Sequence, residues 1–568
     1  MRSPSPRAQL ATASVAVALA AADTYVVVLA LPDMMAGVGL GLESLQRATP
    51  IVSGFLLGYI TVLPLIGRLA DLVDRQRVLL GCLAVFVLGS AVTALAVELP
   101  VLVGGRVLQG IGGGGLVPAT LALVADLWPV GRRGMPLGVV GAVQELGSVF
   151  GPLLGALVLA VADWRAIFWL NAGFGLVLAL ALRAPARMPR ASAALLVLGL
   201  TLAGLALWAP QRLVTDMVLG APFVGPSRLV TPIGALAGVL LLAWLGVSVR
   251  GWWRLLRRAD LPGALLIGVA LGSVVLTFAS ADPEREVVGP SGRWLLPLTL
   301  VAAALAVLRH LTAAEPLFPR GLGRVVRPAI VSTLVGVALV TVVIGVPLLA
   351  RLTGTQSQVE AALVLARFLV AVPAGAVLGG WALNRFGTEA LTSLALALAA
   401  IGLFVMGRWG HGSLDQAFPT TAVLVLVGLG IGLAIAPVNA AALERGPAGA
   451  HGVVSAVVVV ARMTGMVLGL ALVTGIGLRL FYQRVAELPD PTDLAALGRL
   501  AVVPVQAMFT GGAVAALLGA ATALGPRMTL HRSASPVSRG SRGSLSALRR
   551  RSGARECHPS SPSSPGRG

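Results

Sequence analysis

Apolar runs of about 20 residues, parted by short polar stretches, recur along almost the whole chain. One such run, wound as an α-helix, crosses the roughly 30 Å of hydrocarbon in a bilayer. The runs fall at about 8–32, 48–66, 76–98, 100–125, 134–160, 165–183, 191–210, 228–249, 262–281, 292–309, 327–350, 359–382, 388–407, 420–443, 451–480 and 503–526, about sixteen in all. The first is too long for the core of a signal peptide and is read as a span. Beyond about Pro526 the pattern stops, and a Ser-, Pro-, Gly- and Arg-rich stretch follows that is too polar to bury a core. Its Arg cluster would attract anionic lipid by a few kcal/mol at most; the plainer expectation is a solvated tail. The pattern predicts an all-α polytopic membrane protein.

Composition agrees. The chain has 568 residues, 57% hydrophobic and 12% charged, with a mean hydropathy of +0.91. The net charge of +20 is carried entirely by Arg, since the sequence has no Lys. Most of these Arg lie in short loops or the tail, which is a topology signal and no nucleic-acid footprint. One set of alternate loops holds Arg75 and Arg77, Arg132 and Arg133, Arg183, Arg187 and Arg190, Arg250 to Arg258, and Arg309 to Arg327; the other holds acids such as Asp282, Glu284, Glu286, Glu487, Asp490 and Asp493. The first set is therefore expected in the cytoplasm with both termini, the protein being multi-pass in the membrane. Of the two Cys, Cys82 lies inside an apolar run and Cys557 in the tail, and none of the five His lies deep in a span, so no disulfide framework, Cys-based metal site or haem is indicated.

Two spans are interrupted. "GRVLQGIGGGGLVPAT" places six Gly and a Pro in the fourth, and "GSVFGPLLG" places Gly-Pro in the fifth. Pro removes a backbone bond and kinks a helix. These spans are either closely packed or kinked, moving helices that line a pathway.

Five stretches together carry a resemblance. "GRLADLVDRQR" has Gly67, Leu69, Asp71 and Arg75 where the major facilitator loop signature has them, while Leu72 and Asp74 depart at its basic and Gly positions. "RVLQGIG" resembles the span-4 signature through Arg106, Gln109, Gly110 and Gly112, and "GSVFGPLLGA" resembles the antiporter signature through Gly147, Gly151, Pro152 and Gly155. "DWRAIFWLN" (Asp163 to Asn171) and "DLPGALL" (Asp260 to Leu266) resemble the start of span 6 and the first extra span of the fourteen-span drug:proton antiporter branch. "GWALNRFG" (Gly380 to Gly387) is similar to a worn second copy of the loop signature, with Asn384 at the acid position. Finer still, "ADTYVVV" and "LLGYITVLPLIGRLAD" resemble the mycobacterial exporters of drugs and triacylglycerols that work with a lipoprotein partner.

The resemblance implies a major facilitator fold: a six-helix half over 1–190, inserted spans over 191–325, a second six-helix half over 326–526 and the basic tail over 527–568. This chain exceeds the branch by the pair at about 191–210 and 228–249. The subgroup also implies that the helix running through "IGLRLFYQRVAEL" projects beyond the membrane.

Charges at bilayer depth cost roughly 3 kcal/mol on insertion scales, so they are usually partnered and often functional. The candidates are Asp23, Arg106, Glu145, Arg367 and Arg462. At 1.5 Å per residue, Glu145 and Arg462 each lie about eleven residues, roughly 16 Å, inside their spans from the same side. One belongs to each half, so a pair there would cross the interface, as a gate or as a static packing contact. Asp23 and Arg106 lie at similar depths, about nine and six residues from the outer end. Two readings stay open: they pair, or Asp23 stands nearly alone, its charge disfavoured by burial and favoured by the nearby Arg106. Such a carboxylate could take a proton on one side and release it on the other; a purely structural, hydrogen-bonded Asp is the alternative. The resemblance adds that the acid of span 1 couples protons in related antiporters, and that Asp71 and Arg75 form a charge relay gating the inner side. Arg367 has no evident partner; with Tyr25 it is a candidate to line a cavity, or it snorkels outward.

No nucleophile–base set, metal cluster or phosphate loop is present, which speaks against an enzyme and ATP-driven transport. The expectation is a monomeric exporter exchanging protons for hydrophobic or amphipathic small molecules or lipids, with the proton gradient in place of a cofactor. A proton-coupled uptake symporter and a non-transporting scaffold are the alternatives.

Overall fold

The computed structural model describes residues 5–40, 45–182, 194–195, 198–199, 201–202, 205, 232–279, 292–353, 358–490 and 493–524. Among them the chain is helical, without a strand. The helices are α1 (Pro6–Gly37), α2 (Leu45–Leu72), α3 (Arg75–Leu95), α4 (Leu99–Leu127), α5 (Gly134–Leu159), α6 (Arg165–Leu182), α7 (Pro232–Arg258), α8 (Leu261–Ala279), α9 (Gly292–Thr312), α10 (Val326–Thr353), α11 (Gln358–Phe386), α12 (Thr388–Met406), α13 (Ala417–Arg445), α14 (His451–Ala486), α15 (Leu494–Leu500) and α16 (Val503–Leu524). Twelve helices among the described residues are long and apolar enough to cross a membrane. Besides those twelve, α1, α7 and α8 occupy three further ranges expected to span. The run at about 191–210 falls mostly outside the described residues, and the tail from 525 wholly so.

Local chemistry sets the helix ends. Asp74, which departs from the loop signature, is the N-cap of α3: its Oδ1 accepts from the backbone N–H of Gln76 at 2.8 Å and Arg77 at 3.3 Å. Arg133 closes α4 by donating to the carbonyls of Trp128 at 2.9 Å and Ala125 at 2.7 Å. Arg327 does the same for α16 through the carbonyls of Thr522 and Ala523.

The interrupted spans are continuous helices. In α4 the glycines are a packing surface. A Cβ at Gly110 or Gly114 would meet the carbonyl oxygens of Phe55 and Tyr59 on α2, and one at Gly112 would meet the Phe86 backbone on α3. In α5, Gly147 and Gly151 lie against the carbonyls of Ala18 and Ala22 on α1, and Gly155 against Val26. The glycines of both helices are thus close-packing surfaces; the side chain of Pro152 lies outside the described ones.

Helices α1–α6 pack among themselves, and α10–α14 with α16 form a second group. The groups meet along two seams, α2 and α4 against α14, and α5 against α11 and α13. At the end where α2 turns into α3, both seams are backbone on backbone. A Cβ on Gly67 would stand 2.6 Å from the Gly452 carbonyl, and one on Gly134 2.5 Å from that of Gly380. The inserted α8 lies on α2, with Gly272 against Leu57 and Thr61, and pairs with α9, whose apolar side chains are mostly exposed. Asp260, at φ 54°, pins this insert: it accepts from Arg309 Nε at 3.0 Å and from the Leu317 backbone N–H at 3.1 Å. The 36 residues of α14 extend about 54 Å, well beyond one hydrocarbon core.

Candidate functional site

Four helices converge on Asp23. Arg106 Nη1 lies 2.5 Å from its Oδ2. Asn171 on α6 donates to its Oδ1 at 2.6 Å and Gln109 at 3.3 Å. Arg106 also donates to Gln109 Oε1 at 2.9 Å and to the Ile51 carbonyl at 3.3 Å. Its guanidinium lies between the rings of Phe55 and Phe168, 4.6 and 5.7 Å from their centroids. Gln109 is held in turn by Ser90 at 2.8 Å and Thr93 at 3.3 Å, both on α3. Asp23 and Arg106 are 1% exposed, so this is a sealed ion pair, and the reading in which Asp23 stands nearly alone does not hold. Burial without partners would be prohibitive; three donors on one carboxylate offset it.

The second charged pair is held differently. Glu145 on α5 and Arg462 on α14 meet at 3.5 Å, Oε1 to Nη1, joining the two helix groups. Arg462 also lines a narrow, partly open cavity between the groups. Val117, Leu121, Val140, Ile435 and Val459 make its wall apolar, with Gln144, Asn439 and Ser332 as further polar points. Asp23, Arg106 and Gln109 do not line this cavity.

At the α2–α3 end, Asp71 accepts from the backbone N–H groups of Gly452 at 2.6 Å and Val453 at 3.0 Å. These are free donors of the first turn of α14, which favours an anion there. Arg75 stands 3.9 Å from Asp71 and 3.0 Å from Asp126 on α4, so its nearer partner is Asp126. His451 Nδ1 lies 3.9 Å from Asp126. Asp71 therefore bridges the two helix groups, and Gly67 supplies the close approach beside it.

Arg367 takes the second of its two readings, the outward one. It does not line the cavity described above, and it has partners: Thr421 Oγ1 at 2.8 Å and the Ala417 carbonyl at 3.5 Å, in the first turn of α13. Its long side chain reaches along the helix to a polar end. The Tyr25 side chain lies outside the described ones. Sequence reasoning assigned no role to Asn171, Ser90, Thr93 or Asp126. The one signal for Asn171 was its place at the end of "DWRAIFWLN".

Comparison with known proteins identifies the family. The description "Major Facilitator Superfamily" matches residues 13–224. The chain is 36% identical over 521 residues to a triacylglyceride transporter of Mycolicibacterium hassiacum, covering 89% of this chain and 84% of that one. It is 34% identical over 518 residues to the triacylglyceride transporter of Mycobacterium tuberculosis, covering 88% of each. Among solved structures, the human organic anion transporter MFSD10 (TETRAN) superposes with a TM-score of 0.55 at 16% identity, over 92% of this chain and 100% of that one. The proton:xylose symporter XylE does so with 0.52 at 14%, over 90% and 94%. At those identities the two structures speak for the fold alone.

Proposed function

The chain belongs to the major facilitator superfamily, and from that premise we propose that it is a proton-coupled exporter of hydrophobic or amphipathic molecules, drugs or lipids such as triacylglycerol, working by alternating access. The observation that carries the proposal is the Glu145–Arg462 pair, which crosses from one helix group to the other beside a largely apolar cavity. A pair that bridges two moving bodies breaks and reforms as they rock; buried ion pairs are weak stabilisers and serve better as switches. The apolar wall suits acyl chains or amphiphiles over sugars, and the names of the mycobacterial relatives support lipid as cargo.

On this reading residues 1–190 and 326–526 are the two halves, with 191–325 inserted between them. Asp23, backed by Arg106, carries the coupling proton. Asp71, Arg75 and the glycine seams hold one end shut. The excess of Arg in the loops at that end puts it, with both termini, on the cytoplasmic side of the bacterial inner membrane. The protein acts as a monomer, and a lipoprotein partner on the far side takes over the cargo.

Reconstitution into vesicles with an imposed pH gradient tests the proposal, with a labelled triacylglycerol and a cationic dye as parallel cargos. Gradient-driven transport of at least one is expected, and its loss in Asp23→Asn with the protein still folded. Transport indifferent to the gradient removes proton coupling, and wild-type transport in Asp23→Asn removes Asp23 from it.

A further inference from the structure

Any group that couples protons has to be held in two forms, and the partners of Asp23 differ in which form they can serve. Arg106 has only donors, so it can satisfy only an acceptor. Gln109 is an amide with both roles, but each end is fixed. Its Nε2 donates to Ser90 and Asp23, and its Oε1 accepts from Arg106 and Thr93. Turning it over would set N–H groups against the Arg106 guanidinium. Asn171 is the other amide. Among the described residues its one hydrogen bond is Nδ2 to Asp23 Oδ1, at 2.6 Å, and the side chain is buried, 5% exposed. It comes from α6, whereas Arg106 and Gln109 share α4. Of the charged side chains brought by the packed helices, Arg106 alone is bonded to Asp23 among the described residues.

We infer that Asn171 is a positioning residue for the coupling site: its amide turns over when Asp23 takes a proton, changing from donor to acceptor. With Asp23 ionised, Asn171 Nδ2–H donates to Oδ1, as in the structure. When a proton from water arrives on Oδ1, that N–H has to withdraw. The amide then presents its own Oδ1, which accepts the new O–H. Arg106 keeps its bond to Asp23 Oδ2, and its charge remains held by the Gln109 and Ile51 oxygens. Release of the proton to water reverses the turn; the one other bond affected is that of Gln109 Nε2, which donates to the same Oδ1 at 3.3 Å and faces a weaker acceptor while the proton is there. A buried acid without an acceptor for its proton would be strongly disfavoured, so Asn171 makes the protonated form accessible.

The inference rests on the reading of Asp23 as the coupling acid. Full-length protein in lipid, Asn171→Leu, Asn171→Gln and Asn171→Ser are compared by infrared difference spectroscopy on acidification and by gradient-driven transport, with folding judged by size-exclusion chromatography. In wild type a carboxylic C=O band is expected that Asp23→Asn removes. In Asn171→Leu that band shifts to the higher frequency of an unbonded acid, and driven transport falls about tenfold or more. Asn171→Gln restores both, and so does Asn171→Ser, whose hydroxyl also donates and accepts; these two carry the test should the leucine variant not fold. A wild-type band position and rate in Asn171→Leu overturns the inference while leaving Asp23 as the coupling acid. Loss of transport with no shift of the band shows a merely structural role and also overturns it. A wild-type protein without any band assignable to Asp23 overturns the coupling reading and this inference together.

Discussion

Two arginines at membrane depth face opposite conditions. Arg106 gives its donors to Asp23, Gln109 and the Ile51 carbonyl between two aromatic rings, while Arg462 meets Glu145 at 3.5 Å and borders a cavity. The first arrangement resists change, and the second is cheap to break. Removing one partner of a buried pair costs about 3–5 kcal/mol, and the long, cavity-side contact puts Glu145–Arg462 at or below the lower end. Glu145→Gln and Arg462→Ala are each expected to lower transport about tenfold or more while still melting cooperatively, and the charge swap to recover part of the rate. Full transport in both single variants would remove the pair from the mechanism. This pair was legible in the sequence, because equal spacing from two span starts sets equal depth. Asn171 was not, since an amide in an apolar run acquires meaning only from the α1 carboxylate beside it. For Arg367 the outward reach was legible but its partners were not, since Thr421 and the Ala417 carbonyl belong to a helix start far away in the sequence.

At the level of the helix, α4 shows where pattern reading stops. Four consecutive glycines signal a weak helix by propensity, yet α4 runs unbroken from Leu99 to Leu127. The missing side chains are replaced by the backbones of α2 and α3, and periodicity does not separate a loose helix from a tightly flanked one. The glycines along α4 are accordingly unequal. Gly112→Val should cost about 3 kcal/mol through overpacking against α3. Gly104→Ala, where an added Cβ meets nothing within 4 Å, should be neutral or stabilising by up to about 1 kcal/mol. Thermal melting in detergent distinguishes them, and equal melting temperatures would refute the packing account. Asp74 teaches the same lesson in reverse: a departure from the loop signature is a helix cap.

For the whole molecule, the sequence yielded the all-helical fold, the paired loop motifs and the charges at depth; the seams emerged only once α2 met α14 and α5 met α11. A side chain placed on one seam should favour separation. Gly380→Leu penalises the closed form; each 1.4 kcal/mol or so changes the open-to-closed ratio tenfold. A cysteine introduced at Asn439, in the cavity wall, should then react about tenfold faster with a membrane-impermeant thiol reagent added on the α2–α3 side. The measurement is made with the tail's native Cys557 replaced by Ser; native Cys82 is buried and gives little background. An unchanged rate would mean that the glycine contacts do not hold the end shut. On the alternating-access proposal, the bare seams would also govern the manner of opening. Dispersion between touching backbones falls away within about 1 Å, forfeiting up to half its depth. Glycines have no long side chains with which to follow a retreating neighbour. The end therefore behaves like a press-stud: it holds until it lets go, and a single molecule watched over time should flicker between two levels like a telegraph signal, without resting halfway.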